Sequence, residues 1–234
     1  MASFSNMAVL VAGGTGGLGR AVSLAFLEAG ARVAVTFRNR DELVALKTAA
    51  GAAHGRIDGH DVDVTDEAAA KSLVEAVRAR NGRFDVLVNT VGGFAGGKKL
   101  WEEDALVLDR MLTLNLRAGW ALARAAVPVM LAEGRGAIVN VAAQAALAPP
   151  AGLATYAASK AAAVAMFASL AADLKGTGVR TNTILPTIID TEANRKAMPN
   201  ADFSKWPKPE EIARVVLFLC GDGAKLVHGA AIPV

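Results

Sequence analysis

The sequence is poor in several residue types, and each shortage narrows the range of functions. Its 234 residues include one cysteine, Cys220, so no disulfide can form within the chain, and we expect a reducing, cytoplasmic location. Aromatic residues make up 5% of the chain, and Lys and Arg form no long basic run, which argues against a nucleic-acid partner. Residues 1–6 lack the basic start of a secretory signal.

Long apolar runs and metal-ligand clusters are also missing from the sequence. The longest apolar helix candidate, residues 161–174, is shorter than the ~20 residues that cross a bilayer, so we expect no membrane partner. His54, His60 and His228 show no ligand spacing, and no metal site is predicted. With 53% hydrophobic residues and no linker or repeat, the chain is expected to form one domain over residues 1–234.

Apolar segments typical of buried strands alternate with helical segments along the whole chain. This alternation of strands and helices predicts right-handed βαβ crossovers and a doubly wound parallel α/β sheet of the Rossmann type. Residues 187–208 are the one long irregular connection, which we interpret as a substrate lid. We predict strands at 7–12, 32–37, 56–62, 84–89, 136–141, 179–185 and 230–234, and helices at 17–29, 40–50, 66–80 with Thr65 as N-cap, 103–132 with a kink near Pro128, 153–174 and 209–219.

A glycine-rich loop joins the first predicted strand to the first predicted helix. Gly13 permits the tight turn, Gly17 lets backbone amides approach a pyrophosphate, and Gly19 allows the helix to pack closely on the strand. The positive end of the helix then faces the phosphate charge. We therefore predict a dinucleotide site formed by these glycines together with Thr15 and Leu18.

The end of the second predicted strand bears on the choice of cofactor. An acidic side chain there would accept a hydrogen bond from the free 2′-hydroxyl of NAD, but this chain has Phe37 followed by Arg38. A guanidinium suits the 2′-phosphate of NADP, so we expect NADP to be preferred over NAD, unless Arg38 is an ordinary solvated residue at a helix start. Asp63 and Val64, after the third strand, are expected to hold the adenine edge.

Tyr156 and Lys160 lie four residues apart and therefore on one face of a helix. A nearby ammonium favours the phenolate and lowers the pKa of a tyrosine, which makes Tyr156 a candidate general acid and base. Such a pair is common by chance, so its context matters. The same chain carries Asn89 and Gly92 after the fourth strand, where the backbone could pass close to a cofactor, and Asn115 in a long helix.

Together with Pro186 after the sixth strand, these motifs resemble the short-chain dehydrogenase/reductase family over essentially the whole chain. The resemblance implies a seven-stranded parallel sheet in the order 3-2-1-4-5-6-7 and hydride transfer from a nicotinamide. It implies a homodimer or homotetramer joined through the long helices around residues 109–130 and 155–174. By this resemblance, Tyr156 is the proton donor, and Lys160 binds the nicotinamide ribose and lowers the Tyr156 pKa. Asn115 holds a water molecule of the proton relay. Ile189 and Thr191 lie beside the nicotinamide carboxamide.

The most consequential departure from the family pattern lies thirteen positions before Tyr156, where the family has a serine and this chain has Ala143. A hydroxyl that would bond a substrate carbonyl is therefore absent, and losing one such donor costs about 100-fold to 1,000-fold in rate. Dihydropteridine reductases, a branch that reduces a quinonoid pterin, also have alanine there. The chain resembles that branch at residues 91–97 and 185–206, but the branch favours NADH and usually has an acidic residue after its second strand.

Three further residues are candidates for a flat apolar substrate pocket around position 143, namely Phe94, Met198 and Trp206, although each type is more often a core residue. Gln144 could supply the lost hydrogen bond. We expect an NAD(P)H-dependent reductase of a small conjugated or imine-like molecule. Two alternatives remain open, a carbonyl or 3-oxoacyl reductase with a replacement for the serine and a catalytically silent nucleotide-binding subunit.

Overall fold

In the computed structural model, seven strands of the described part of the chain form one central sheet. The structure describes residues 4–234, so the first three residues of the predicted domain lie outside the described range. The strands are β1 (Ala8–Ala12), β2 (Arg32–Phe37), β3 (Ile57–Asp61), β4 (Val86–Asn89), β5 (Gly136–Val141), β6 (Val179–Leu185) and β7 (Ala231–Pro233). All pairings are parallel, and the order β3-β2-β1-β4-β5-β6-β7 confirms the predicted doubly wound fold.

Helices cover both faces of this sheet, which explains why a central strand such as β1 is continuously apolar. Alternate residues of β1 point to opposite faces, so Val9 belongs to one core and Leu10 to the other. The core with Val9 is closed by the helices Gly17–Glu28 and Pro209–Cys220, and the core with Leu10 by the helices Glu67–Asn81, Ala118–Glu133 and Ala154–Asp173. The helices are α1 (Gly17–Glu28), α2 (Arg40–Ala49), α3 (Glu67–Asn81), α4 (Ala105–Leu112), α5 (Ala118–Glu133), α6 (Ala154–Asp173), α7 (Glu192–Ala197) and α8 (Pro209–Cys220).

The predicted N-cap of α3 is wrong by one residue. The carboxylate of Asp66, rather than the hydroxyl of Thr65, accepts the hydrogen bond from the Ala69 N–H, at 2.8 Å. Thr65 instead donates its hydroxyl to Asp63 at 2.8 Å, because these residues form a local turn ahead of the helix.

The predicted long helix at 103–132 is divided. A π-helical turn at Thr113–Arg117 separates α4 from α5, whereas Pro128 lies inside α5. The observed irregularity therefore lies at the turn that contains Asn115, and the kink expected near Pro128 stays a prediction. Turns of this kind are rare and frequently mark functional sites.

The segment at 187–208 is less irregular than the sequence predicts. It contains α7, whose first turn is capped by the Thr191 side chain accepting from the Asn194 N–H at 3.2 Å, and a short 3-10 turn, Phe203–Lys205. The Arg195 guanidinium pairs with the Asp190 carboxylate across the start of α7. These contacts order the segment, while its role as a lid stays a prediction.

Among residues 4–234, none of the helices combines the length and the apolar character that a membrane crossing requires.

Candidate active site

The glycine loop between β1 and α1 folds as the dinucleotide motif requires. Gly13 has φ +73°, a conformation that favours glycine, and its N–H donates to Thr36 Oγ1 on β2 at 2.8 Å. A Cβ on Gly19 would lie 2.0 Å from the Gly13 carbonyl oxygen, so only glycine lets the first turn of α1 pack on the loop. These two residues take the positions that the motif predicts.

The start of α1 is open to an anion. No side chain caps the helix at Gly16, so its first N–H groups are available to a phosphate. A Cβ on Gly17 would lie 2.7 Å from Thr191 Cγ2, which brings the segment after β6 against the glycine loop. The Leu18 side chain is buried in the core, so only its backbone is left to face a cofactor. This cradle fits the pyrophosphate of a dinucleotide.

Arg38 lies directly after β2 and reaches the residues that follow β3. Its guanidinium is 3.6 Å from the Asp63 carboxylate, and both side chains are exposed. Hydrogen bonds from the backbone and side chain of Thr65 hold the Asp63 pKa below its ordinary value, and the charge of Arg38 adds to this effect. Val64 is buried in the core, so it could contact adenine only through its backbone.

The loop after β4 is anchored by buried amides. Asn89 Nδ2 donates to Asn140 Oδ1 at 2.9 Å, and Asn89 Oδ1 accepts from the Val91 N–H at 3.2 Å. A Cβ on Gly92 would lie 2.9 Å from Asn115 Oδ1 and 3.0 Å from Lys160 Nζ. The glycine is therefore needed because the loop passes directly against the predicted catalytic residues.

Tyr156 and Lys160 share one face of α6, as their spacing predicts. Lys160 Nζ lies 6.0 Å from the centre of the Tyr156 ring and donates to the Val141 carbonyl oxygen at 3.2 Å. Lys160 is 5% exposed, and burial lowers its pKa to about 8. Burial raises the pKa of the Tyr156 phenol. Burial is the only resolved cause of this shift, so the lowering of the Tyr156 pKa by Lys160 stays a prediction.

The Asn115 side chain is buried, and both its oxygen and its nitrogen form hydrogen bonds within the protein. Its Oδ1 accepts from the Gly93 N–H at 2.8 Å, while its Nδ2 donates to the Gly93 carbonyl at 3.1 Å and to Ser159 Oγ at 2.9 Å. Both side-chain N–H groups are thus used by the protein. The observed role of this amide is to hold Gly93, and its role in a water relay stays a prediction.

Ala143 ends the extended run of β5 and is nearly buried. The neighbouring Ala142 and Gln144 donate their backbone N–H groups to Ile184 at 2.9 Å and Pro186 at 3.0 Å, which joins this end of β5 to β6. Pro186 thus lies beside Gln144 where β5 and β6 end, and its contact with a cofactor stays a prediction. The methyl group of Ala143 offers no hydrogen-bond donor where the family resemblance implies a hydroxyl.

Of the three predicted pocket residues, Phe94 packs its ring against the ring of Tyr156. The two ring centroids are 5.1 Å apart at an interplanar angle of 66°, and Phe94 is 66% exposed. The ring centroids of Trp206 and Phe203 are 4.9 Å apart. Both residues lie in the 187–208 segment, which also contains Met198. The structure therefore supports Phe94 as a pocket wall, whereas substrate contacts of Met198 and Trp206 stay predictions.

Sequence reasoning missed two polar residues that touch this site. Ser159 donates its hydroxyl to the Tyr156 carbonyl at 2.7 Å, and Glu42 accepts a hydrogen bond from the Thr15 hydroxyl at 2.8 Å. Ser159 has a sequence signal, since it is the polar residue between Tyr156 and Lys160. Glu42 has none, because its position depends on how α2 packs beside the glycine loop.

Within the described range 4–234, no three or more His, Cys, Asp or Glu side chains are grouped so that they could hold a metal ion beside these residues or elsewhere.

Comparison with known sequences gives matches along nearly the whole chain. A family model described as short chain dehydrogenase matches residues 7–202. D-threitol dehydrogenase from Mycolicibacterium smegmatis is 37% identical over 233 residues, which cover 94% of this chain and 88% of that protein. A 3-oxoacyl-[acyl-carrier-protein] reductase from Thermotoga maritima is 32% identical over 235 residues, covering 96% and 94%.

Solved structures show the same architecture. An NAD⁺-bound xylitol dehydrogenase superposes with a TM-score of 0.91 at 25% identity, covering 99% of this chain and 98% of that one. Similar folds have been solved with NADP bound, in ElxO, and with NADH bound, in a 3-ketoacyl-(acyl-carrier-protein) reductase from Brucella melitensis. Both kinds of dinucleotide thus occur on this architecture.

Proposed function

The chain belongs to the short-chain dehydrogenase family and is an NAD(P)-dependent oxidoreductase, and we propose that it reduces a small conjugated or imine-like molecule, with a quinonoid dihydropterin as the candidate substrate. The observation that carries this proposal is Ala143. A substrate that develops no negative charge on a simple ketone oxygen during hydride transfer does not need the donor that the methyl group fails to provide. The exposed ring of Phe94 beside Tyr156 offers a flat apolar wall for such a substrate.

The residues of the chain suit proton delivery to a bound substrate. When bound, the reduced nicotinamide supplies the hydride. The Tyr156 phenol is protonated at neutral pH because burial raises its pKa, so it can donate a proton as the hydride arrives. The Lys160 ammonium lies on the same helix face and would stabilise the phenolate that remains. Asn115 keeps the loop with Gly93 and Phe94 in place above them.

Carbonyl reduction is the second candidate function. It is favoured by the relatives, which are named as a threitol dehydrogenase and a 3-oxoacyl reductase. In this case another group must replace the serine, and Gln144 stands next to Ala143 in the chain. The third possibility, a catalytically silent subunit, is disfavoured because Tyr156 and Lys160 are both present on one helix face.

We also infer a homodimer or homotetramer, joined through α4, α5 and α6. This inference is supported by apolar side chains that stand exposed beside α6 and on α4, notably Trp101, which is 79% exposed, and Leu106. A cavity of about 610 Å³ lies between Trp101, Pro150 and alanines of α6, and Tyr156 is not among the residues that line it.

The test is NADPH oxidation with quinonoid dihydropterin, quinones, diketones and 3-oxoacyl thioesters, in wild type and in Ala143→Ser. We expect wild type to reduce the pterin fastest, and the variant to gain ketone reduction by about 10-fold or more without improving pterin reduction. Ala142→Ser is the matched control, since adjacent residues of an extended chain point in opposite directions. Rapid reduction of ordinary ketones by wild type would replace this proposal with the carbonyl-reductase alternative, and no turnover with any substrate would favour the silent subunit.

A further inference from the structure

A hydrogen bond joins the glycine loop to the first turn of α2. The nearly buried Thr15 donates its hydroxyl to the exposed Glu42 carboxylate at 2.8 Å. The hydroxyl has a single proton, so while it serves Glu42 it cannot also donate to a phosphate. The Glu42 carboxylate therefore competes with a bound phosphate for the proton of the Thr15 hydroxyl.

Glu42 lies beside two elements that folds of this type use to hold the adenosine half of a dinucleotide. In folds of this type the ribose lies between the glycine loop and the end of the second strand. The bond between the Gly13 N–H and Thr36 Oγ1 holds those two elements together, and Arg38 follows at once. Because α2 begins at Arg40, its first turn places Glu42 at the same edge. The ribose site is thus bounded by a guanidinium from one element and a carboxylate from another.

We propose that Glu42 is a second determinant of cofactor choice, which acts against Arg38. Its carboxylate is placed to accept a hydrogen bond from the 2′-hydroxyl of NAD, in place of the acidic residue absent at Phe37. The same charge repels the 2′-phosphate of NADP, while Arg38, once it leaves Asp63, attracts it. The chain therefore binds both cofactors and discriminates weakly between them.

The test measures the Kd of NADP⁺ and NAD⁺ by calorimetry on the substrate-free protein. Glu42→Gln keeps an oxygen that can accept from Thr15 but removes the charge. We expect the affinity of this variant for NADP⁺ relative to NAD⁺ to rise about 10-fold over wild type. The difference should become smaller as added salt screens the repulsion between Glu42 and the 2′-phosphate. Arg38→Asp should shift the ratio in the opposite direction, toward NAD⁺, by a similar factor.

Asp41→Asn is the matched control, because Asp41 lies in the same helical turn and carries the same charge. We expect it to change the ratio less than about twofold, since its only loss is a distant charge. A Glu42→Gln ratio within twofold of wild type would overturn the proposal. An equal shift in Asp41→Asn would also overturn it, because the effect would then come from the general field of α2. Glu42 is exposed, so the variant should fold, and Glu42→Ala provides a second readout of the lost charge.

Discussion

The side-chain amide of Asn115 holds both backbone hydrogen-bonding groups of Gly93, accepting from its N–H at 2.8 Å and donating to its carbonyl at 3.1 Å. The same amide donates to Ser159 at 2.9 Å, and Ser159 donates to the Tyr156 carbonyl at 2.7 Å. A continuous series of hydrogen bonds therefore links the loop after β4 to the helix that carries Tyr156. The loop and the helix are held as one unit.

Ser159→Ala should loosen this unit. The substitution leaves one buried N–H of Asn115 without its hydroxyl acceptor, which costs about 1–3 kcal/mol of unfolding free energy. Because the Gly93 loop carries Phe94, we expect a higher KM for substrate and a lower kcat, while the Kd of NADPH changes little. Steady-state kinetics, cofactor titration and thermal unfolding measure these three effects.

Ser169→Ala is the control for Ser159→Ala, since Ser169 is exposed on the same helix. A double-mutant cycle with Asn115→Ala should show strong coupling between Ser159 and Asn115. Additive effects of the two substitutions, or kinetics of Ser159→Ala equal to those of the control, would contradict the linkage.

Lys160 should make the stability of the cofactor-free protein depend on pH. Its pKa is about 8 in the folded protein, against 10.5 for an exposed lysine, so between these pH values the unfolded chain binds the extra proton. Stability from this group therefore rises with pH across that window. Relative to Lys160→Met, the unfolding free energy of wild type should increase by on the order of 3 kcal/mol from pH 8 to 10.5.

Chemical denaturation at several pH values measures this difference. The comparison is repeated in a Tyr156→Phe background, which removes the ionisable phenol of Tyr156. The rise of the unfolding free energy with pH should persist there. A difference between wild type and Lys160→Met that is constant with pH would show that burial does not disfavour the charged lysine. Lys160→Met should in addition abolish turnover, because it removes the ammonium beside Tyr156.

Local sequence patterns predict most of the fold and the shared helix face of Tyr156 and Lys160. Buried strands such as β1 are continuous apolar runs, and the spacing of Tyr156 and Lys160 sets their shared helix face. The features that were missed depend on contacts between distant residues. Asn115 meets Gly93 22 positions away at the π-helical turn, and Thr15 meets Glu42 27 positions away. The direction of the Tyr156 pKa follows from burial, which no spacing in the sequence reveals.

Tyr156 is proposed to deliver the proton in an NAD(P)H-dependent reduction. The most direct test is Tyr156→Phe, which removes the hydroxyl and keeps the ring that packs against Phe94. Single-turnover reduction and NADPH titration should be measured on the same preparation, with the substrate that wild type reduces fastest. We predict that the rate falls by at least about 100-fold, in the range of a lost general acid, while the Kd of NADPH stays within about twofold. A rate near that of wild type would contradict this role of Tyr156, and so would a loss of rate that is matched by a loss of NADPH binding.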